Sequence, residues 1–295
     1  MTSFSGIDGL ELTEVPEPTP SDGEEIVDVR AASLGPWDIS AASGAFTAAG
    51  GSDELPQVAG WDFAGETAGG RRVLGFVAQP WMGVGALAER ISVPSAILAT
   101  LPDSLGFDVG SALPVGALTA KLLVDAAVKA DDDLVLVTGA AGIVGGFTLQ
   151  LARTRGARVV AAVRDSDAVE ARHLGAEIVV DTDYQLEAEV RGHWEDGVDA
   201  CIDTVGLGHD ALVCVRDGGR FVTSVPTAVP DAHRDIAPET VQVAPDAGAA
   251  EELAGRAAAG ELTVRVADVM PFERFREAFE RLQRRGLRGK LVLTP

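Results

Sequence analysis

Basic residues, cysteine, histidine and tyrosine are all scarce in this chain of 295 residues. It has 24 lysines and arginines against 45 acidic residues, a net charge of -21, with two cysteines, four histidines and one tyrosine. Nucleic acids and anionic membranes attract basic surfaces, so this charge balance disfavours both as partners. The N-terminus has no basic segment followed by an apolar core, so we expect no secretory signal and a cytoplasmic location.

The few cysteines and histidines also disfavour a metal site. Cys201 and Cys214 lie in apolar segments, where packed and reduced thiols are expected, and two cysteines cannot form a four-cysteine zinc site. The four histidines are scattered through polar segments without the spacing of metal ligands. The sequence therefore predicts a protein without a metal.

The pattern of the chain changes near Leu113. Before it, alternating segments separated by Gly- and Pro-rich turns predict strands over 24–30, 71–77 and 87–93. After it, helices are predicted over 117–127, 144–155, 168–174 and 272–285, and strands over 134–138, 158–163, 178–180, 200–203, 220–225 and 290–294. Alternation of strands and helices indicates a parallel sheet covered on both faces, so the fold class is α/β.

The segment Leu134–Gly146 carries the strongest functional signal. A Val- and Leu-rich run ends in a glycine-rich turn, and an apolar segment with helical spacing follows. This order suits a nucleotide pyrophosphate, because small residues let the backbone approach the phosphates and a helix N-terminus supplies N–H groups. An ordinary strand–loop–helix remains an alternative reading. A transmembrane helix is disfavoured by four glycines and the preceding Asp131–Asp133.

Arg164 follows the second strand of this region, where NAD-binding folds usually place an acidic residue. An arginine there pairs with the 2′-phosphate of NADP, which an aspartate would repel. The positive charge of Arg164 therefore favours NADP over NAD. The alternative is that Arg164 pairs with Asp165 or Asp167 on the surface and contacts no nucleotide.

An ordered set of motifs resembles the medium-chain dehydrogenase/reductase superfamily, in particular its zinc-independent quinone oxidoreductase (zeta-crystallin-like) branch. The motifs run along nearly the whole chain in the order of the family. They are Val29–Asp38, Leu55–Gly65, Gly85–Arg90, Leu113–Ala120, Val137–Gly145, Gly197–Gly206, Gly218–Ser224 and Gly289–Leu293.

The resemblance implies two domains. A β-rich, GroES-like catalytic domain would comprise residues 1–115 and 262–295, and a doubly wound Rossmann domain that binds NADPH would comprise residues 116–261. It also implies a homodimer paired through a strand near Thr240–Ala244.

The resemblance also implies which residues bind the cofactor. Carried over by position, the pyrophosphate lies on Ala141 to Val144, and the other cofactor positions fall on both sides of it. The implied cofactor-binding residues are Thr119, Ala141, Gly142, Ile143, Val144, Arg164, Thr182, Val205, Gly206, Ser224 and Val225. Of these, Arg164 and Thr182 fall near the adenosine half, and Thr119, Val205, Gly206, Ser224 and Val225 nearer the nicotinamide half.

Departures from the family bear on the catalytic site. Zinc-dependent relatives carry Gly-His-Glu where this chain has Gly60-Trp61-Asp62, and a cysteine ligand is missing before Asp38, so no catalytic zinc is expected. The quinone-reductase branch usually has Asn at Gly35 and often Tyr at Leu87.

No residue stands out as a general acid. The only tyrosine, Tyr184, follows the third nucleotide strand, on the adenosine side. Asp38 and Lys290 are the polar candidates, although Lys290 is also explained by pairing with an acid at a strand end. Trp37, Ser40 and Leu87 are the candidate substrate-pocket residues.

Two functional hypotheses follow. The first is an NADPH-dependent oxidoreductase that reduces a small molecule, either a quinone or the activated C=C bond of an α,β-unsaturated carbonyl compound, by hydride transfer without zinc. The alternative is a non-catalytic NADPH-binding sensor or partner protein on the same fold. Loss of the family's Asn and Tyr favours the alternative, and turnover with any acceptor distinguishes the two.

Overall fold

The computed structural model describes residues 1–182, 185–284 and 286–295. Tyr184 and the predicted helix end at Arg285 lie outside these residues. The strands of the described chain are β1 (Glu24–Leu34), β2 (Asp62–Thr67), β3 (Arg72–Phe76), β4 (Arg90–Pro94), β5 (Ala99–Thr100), β6 (Leu134–Thr138), β7 (Arg158–Val163), β8 (Ile178–Asp181), β9 (Val198–Asp203), β10 (Val215–Thr223), β11 (Glu239–Thr240), β12 (Val266–Pro271) and β13 (Lys290–Thr294). The helices are α1 (Pro36–Ala42), α2 (Gln79–Met82), α3 (Phe107–Ser111), α4 (Pro114–Ala127), α5 (Ile143–Thr154), α6 (Ala168–His173), α7 (Leu186–His193), α8 (His209–Leu212), α9 (Ala247–Ala258) and α10 (Phe275–Gln283).

These elements form two compact units. The first unit comprises Met1–Val115 and Ala244–Pro295, and the second comprises Gly116–Val243. The sequence-based boundary at 115/116 coincides with this division, whereas the second boundary lies at 243/244 rather than 261/262. The reason is α9, which packs on β3 and β5 of the first unit, where a carboxylate oxygen of Glu251 accepts a hydrogen bond from the Thr100 amide at 3.0 Å.

The first unit is built on a mixed sheet of seven strands in the order β12-β13-β1-β2-β3-β5, with β4 also paired to β1. The long strand β1 holds it together: residues 24–28 pair with β4, residues 32–34 pair with β13, and β2 occupies its other edge. Phe63, Leu34, Phe279 and Leu291 are buried in the core of this unit. The last strand of the chain therefore lies directly beside the first.

The second unit is a six-stranded parallel sheet in the order β11-β10-β9-β6-β7-β8. Strand β6 is central and fully buried, as expected for a parallel strand covered on both faces. The chain continues from β6 to one side through β7 and β8, then crosses to the other side through β9, β10 and β11. This is the doubly wound order, with its switch point between β6 and β9.

The turn between β6 and α5 depends on glycine. Gly139 has φ +60°, in the left-handed region that other residues avoid. A Cβ atom on Gly145 would collide with the Gly139 carbonyl oxygen and would lie 2.7 Å from the Ala140 Cα atom. Only glycine at position 145 therefore lets α5 pack this closely on the end of β6.

We predict that Gly145→Ala lowers the free energy of unfolding by about 1–3 kcal/mol, because the added methyl group overpacks the contact between helix and turn. Gly255→Ala in α9 is the matched control, since a Cβ there meets nothing within 4 Å. The control should gain up to about 1 kcal/mol through helix propensity. Urea unfolding of both variants measures the difference, and equal effects would contradict the packing account.

Candidate functional site

Five parallel strands of the second unit end at one edge of the sheet, and predicted cofactor positions follow every one of them. Ala141–Val144 follow β6, Arg164 follows β7, Thr182 follows β8, Val205 and Gly206 follow β9, and Ser224 and Val225 follow β10. The structure thus brings ten of the eleven predicted cofactor residues to the edge where doubly wound folds bind their ligands. The remaining one, Thr119, is buried on α4. Helix α4 packs near α5, because a Cβ on Gly116 would lie 2.7 Å from Ile143 Cγ2.

The glycine turn fits the phosphates of a dinucleotide. Gly142 caps α5 with extended backbone (φ -71°, ψ -178°), and among the described residues a Cβ placed there would contact the Gly139 carbonyl oxygen tightly, at 3.1 Å. Glycine avoids this contact and leaves no side chain on the turn at this position. Helix α5 begins at Ile143, so its first amide groups and the positive end of its dipole lie at this same edge.

A buried carboxylate, Asp203, joins the loops at the switch point. Its oxygen Oδ1 accepts hydrogen bonds from the Thr138 hydroxyl (2.6 Å) and from the amides of Val205 (3.2 Å) and Gly206 (3.0 Å). Its second oxygen accepts the Gly208 amide at 2.9 Å. Sequence reasoning missed this residue, although an aspartate ending a buried strand before a glycine-containing loop is typical of side-chain-stabilised turns.

Arg164 lies at the carboxyl end of β7, and its guanidinium group is partly exposed. Its Nη2 atom lies 3.5 Å from a carboxylate oxygen of Asp167. The sequence left open whether Arg164 contacts Asp167 or a nucleotide, and the structure contains the first of these contacts. A guanidinium group has five N–H donors, so one long ion pair does not prevent it from binding a phosphate as well.

In the first unit, Lys290 and Asp62 form a buried ion pair. Their side chains are 1% and 0% exposed, and Nζ lies 2.7 Å from Oδ2 of Asp62. The other oxygen of Asp62 accepts the Val115 amide at 2.7 Å, and the Lys290 ammonium lies 4.3 Å from the centre of the Trp37 ring. Burial raises the pKa of Asp62, and Lys290 and the Val115 amide oppose that shift. Lys290 thus pairs with an acid, as the alternative reading of the sequence had it.

Asp38, the other polar candidate, is buried at the start of α1. One carboxylate oxygen accepts the Gly35 amide at 2.7 Å, whereas Oδ1 is buried and has no hydrogen-bond partner among the described residues. Burial raises the pKa of Asp38 to about 7, against the opposing effects of the Gly35 hydrogen bond and the charge of Lys290. Asp38 therefore holds its proton near neutral pH far more readily than an ordinary aspartate.

Aromatic side chains fill the region where zinc-dependent relatives carry a ligand. The Trp61 ring lies 6.5 Å from Trp37, 5.7 Å from Phe46 and 6.4 Å from Phe76, measured between ring centres. Among the described residues, no group of three or more His, Cys, Asp or Glu side chains is arranged to hold a metal ion. Phe63 is fully buried in the core of the same unit.

The three predicted substrate-pocket residues all lie in the first unit. Trp37 and Ser40 lie on α1, and the Ser40 hydroxyl donates to the Pro36 carbonyl at 3.2 Å. Leu87 lies in the loop before β4 and packs against Gly60, next to Trp61. Leu87 thus packs against Gly60, and the neighbouring Trp61 ring lies beside the Trp37 ring.

The part of the chain that the structure describes contains no helix long and apolar enough to span a membrane.

Comparisons with known proteins agree with this architecture. The family model described as zinc-binding dehydrogenase matches residues 174–293. The chloroplastic NADPH-dependent alkenal/one oxidoreductase of Arabidopsis thaliana is 26% identical over 100% of this chain and 78% of its own length. The 2-methylene-furan-3-one reductase of Solanum lycopersicum is 29% identical over 80% of this chain and 63% of its own length. The structure of the quinone oxidoreductase from Coxiella burnetii superposes with a TM-score of 0.89 at 24% identity, covering 100% of this chain and 97% of that one.

These matches support the medium-chain dehydrogenase/reductase superfamily, and its quinone oxidoreductase branch, as the family of this chain. The α/β fold class predicted from the sequence is confirmed, and the family predicted from it agrees with these matches. The chain spans 78% of the length of the Arabidopsis relative and 63% of the length of the Solanum relative.

We predict that Asp38→Asn changes the pH dependence of this protein's free energy of unfolding. Between about pH 4 and pH 7 the native Asp38 retains a proton that an unfolded aspartate releases, so its contribution to stability falls as pH rises through that window. Asparagine still accepts the Gly35 amide and never ionises. The variant should therefore lose this slope and be more stable than the original protein by about 1–4 kcal/mol at pH 8.

Urea unfolding from pH 4 to pH 8 measures this difference. Asp62 is present in both proteins, so the difference between the two profiles reports Asp38 together with its electrostatic coupling to Asp62 and Lys290. Asp53→Asn, a change at an exposed position of the same unit, is the control and should leave the profile unaltered. An Asp38→Asn profile parallel to that of the original protein would show that Asp38 is ionised in the native state throughout.

Proposed function

We propose that this protein is an NADPH-dependent oxidoreductase that reduces quinones or activated C=C bonds, without a catalytic zinc. The observation that carries the proposal is the shared edge of the second unit, where the glycine turn after β6 and the ends of four further strands meet. The names of the relatives support the reaction class, since they include an NADPH-dependent alkenal/one oxidoreductase and a 2-methylene-furan-3-one reductase. The function predicted from the sequence agrees with these names.

Bound NADPH would supply a hydride to the electrophilic carbon of the substrate. The chain's own contribution is binding and orientation: the first amides of α5 stabilise the pyrophosphate charge, and the loops after β9 and β10 hold the nicotinamide half. Hydride addition to an enone leaves an enolate that requires a proton. We propose that solvent supplies this proton rather than Lys290, because the Lys290 ammonium is buried and bonded to Asp62. Asp38, the other polar candidate from the sequence, is buried as well.

The preference for NADPH over NADH is part of the proposal. Arg164 supports it, because its guanidinium group is partly exposed at the end of β7, where the ribose 2′ position of a dinucleotide lies in this fold. The homodimer is likewise proposed. Its support is that the exposed strand β11 (Glu239–Thr240) is the edge of the sheet, beside the predicted pairing segment. The cytoplasmic location stays a prediction.

The decisive experiment measures NADPH binding by fluorescence and NADPH oxidation at 340 nm with a panel of quinones and enones. The proposal predicts turnover with members of at least one substrate class. Gly142→Val is the control variant: its side chain would stand on the turn where the phosphates are proposed to bind, so it should abolish NADPH binding. Because its Cβ would also lie 3.1 Å from the Gly139 carbonyl oxygen, urea unfolding of the variant is measured beside its affinity for NADPH. Tight binding without any turnover would instead favour the sensor hypothesis, and no binding would reject the nucleotide site.

For cofactor preference, we predict that Arg164→Gln raises the Kd for NADPH about tenfold and leaves the Kd for NADH unchanged, because a charged hydrogen bond to the 2′-phosphate is lost. Arg158→Gln is the matched control, at the amino end of the same strand, where Arg158 pairs with Glu177 at 2.9 Å. It should alter neither affinity. Equal weakening of both nucleotides by Arg164→Gln would contradict a role in reading the 2′-phosphate.

A further inference from the structure

Asp203 is a fully buried carboxylate whose four hydrogen-bond donors are one hydroxyl and three backbone amides. A buried charge is tolerated only where hydrogen bonds replace the lost water. Three of these donors belong to a single loop, residues 204–208, and the fourth belongs to Thr138 at the end of β6. The carboxylate therefore ties the loop after β9 to the strand that leads into the glycine turn.

The backbone of the same residue holds a second loop. The Asp203 carbonyl oxygen accepts the Thr223 hydroxyl at 2.8 Å and the Ser224 amide at 3.4 Å. The Thr223 hydroxyl oxygen in turn accepts the Val225 amide at 3.0 Å. Asp203 thus reaches, directly or through Thr223, the backbone of four predicted nicotinamide-side residues: Val205, Gly206, Ser224 and Val225.

Hydrogen bonds rather than packed side chains hold the loop of residues 204–208. Gly206 and Gly208 have φ +81° and +58°, and Val205 is 54% exposed. At the start of the loop, the Thr204 amide donates to the Thr138 hydroxyl oxygen at 3.2 Å and the Thr204 hydroxyl donates to the Thr138 carbonyl oxygen at 2.7 Å. Beyond Thr204, three amides directed at the Asp203 carboxylate fix the loop. A fixed loop binds its ligand without the entropic cost of becoming ordered.

We propose that Asp203 is a positioning residue for the nicotinamide half of the cofactor, which it orients by fixing the loops after β9 and β10. This inference rests on the proposed function, because it takes NADPH as the ligand of this edge. Asp203 lies beneath the loops and acts through their backbone. Its removal should therefore affect the nicotinamide half of the site and spare the adenosine half near Arg164.

Asp203→Asn is the variant that tests the proposal. An asparagine offers one oxygen acceptor and one NH₂ donor in place of two acceptor oxygens. Whichever way the amide is turned, at least one buried donor among the four faces an N–H group and loses its partner. The substitution changes neither the size of the side chain nor the packing around it.

The experiment compares the Kd for NADPH with the Kd for adenosine 2′,5′-bisphosphate, a probe that contains only the adenosine half. We expect Asp203→Asn to raise the Kd for NADPH about tenfold and to leave the Kd for the fragment unchanged. Hydrogen exchange of a peptide covering residues 204–208, measured without nucleotide, should become faster in the variant. This second readout does not depend on activity.

Asp199→Asn is the matched control. Asp199 lies on the same strand, and its carboxylate also accepts a backbone amide, that of Leu134 at 2.9 Å, together with Nε of Arg216 at 2.7 Å. It stands at the amino end of the sheet, away from the ligand edge. Asp199→Asn should therefore leave both Kd values and the exchange of residues 204–208 unchanged.

Thr138 provides a second pair of variants should Asp203→Asn fail to fold. Thr138→Val removes the hydroxyl that donates to Asp203, and Thr138→Ser keeps it. We expect Thr138→Val to bind NADPH about threefold or more weakly than Thr138→Ser, with equal affinity for the fragment.

Three results would overturn the inference. The first is an unchanged Kd for NADPH in Asp203→Asn or in Thr138→Val. The second is equal weakening of NADPH and the fragment, which would indicate general disruption of the second unit. Failure of the original protein to bind either probe would reject the proposed function itself, and the role of Asp203 with it.

Discussion

The hydrogen bond between the Thr138 hydroxyl and the Asp203 carboxylate joins the two central strands of the parallel sheet at their carboxyl ends. All strands of this sheet run the same way, so every loop that follows a strand emerges at this edge. In the doubly wound order, the loops after β6 and β9 leave in opposite directions and form a crevice outside the carboxyl ends of these two strands. The Asp203 carboxylate therefore bonds both to the strand that leads into the glycine turn and to the loop after β9.

The first unit depends on a different interaction. The ion pair of Lys290 and Asp62 connects the last strand of the chain to β2 near its start, and Asp62 also accepts the amide of Val115. A buried ion pair of this kind contributes modestly to stability, but removal of one partner leaves an uncompensated charge. The ion pair gives Lys290 a structural role rather than an evident catalytic one.

Much of the fold could be predicted from the sequence, because apolar period and glycine placement are local signals. Strands β6, β7 and β13 have the predicted limits, since each is a short apolar run with a charged residue, glycine or proline at or next to each end. Helix α9 was missed because its sequence, AGAAEELAGRAA, has a single large apolar residue, Leu253, so its helical period is faint. The second boundary was carried over from the family resemblance, and the packing of α9 on β3 and β5 moves it to 243/244 in the structure.

Part of the candidate site could also be predicted from the sequence, namely the residues that belong to a motif. Ala141–Val144 and Arg164 are carried by motif and position, and the strand order brings them to one edge. The partners of buried polar groups were not predictable, because they depend on three-dimensional contacts. Nothing in the sequence tells that Asp203 accepts amides from its own loop, that Arg164 lies beside Asp167, or that Lys290 pairs with Asp62 rather than another acid.

We propose that NADPH binds at the carboxyl edge of the second unit. Hydrogen exchange of the protein with and without saturating NADPH locates the binding site, because it reports which backbone amides the ligand covers or stabilises. We expect slower exchange in residues 139–145, 204–208 and 224–225, and no change in β1 or β13. Protection confined to other segments, or none at all, would rule out binding at this edge.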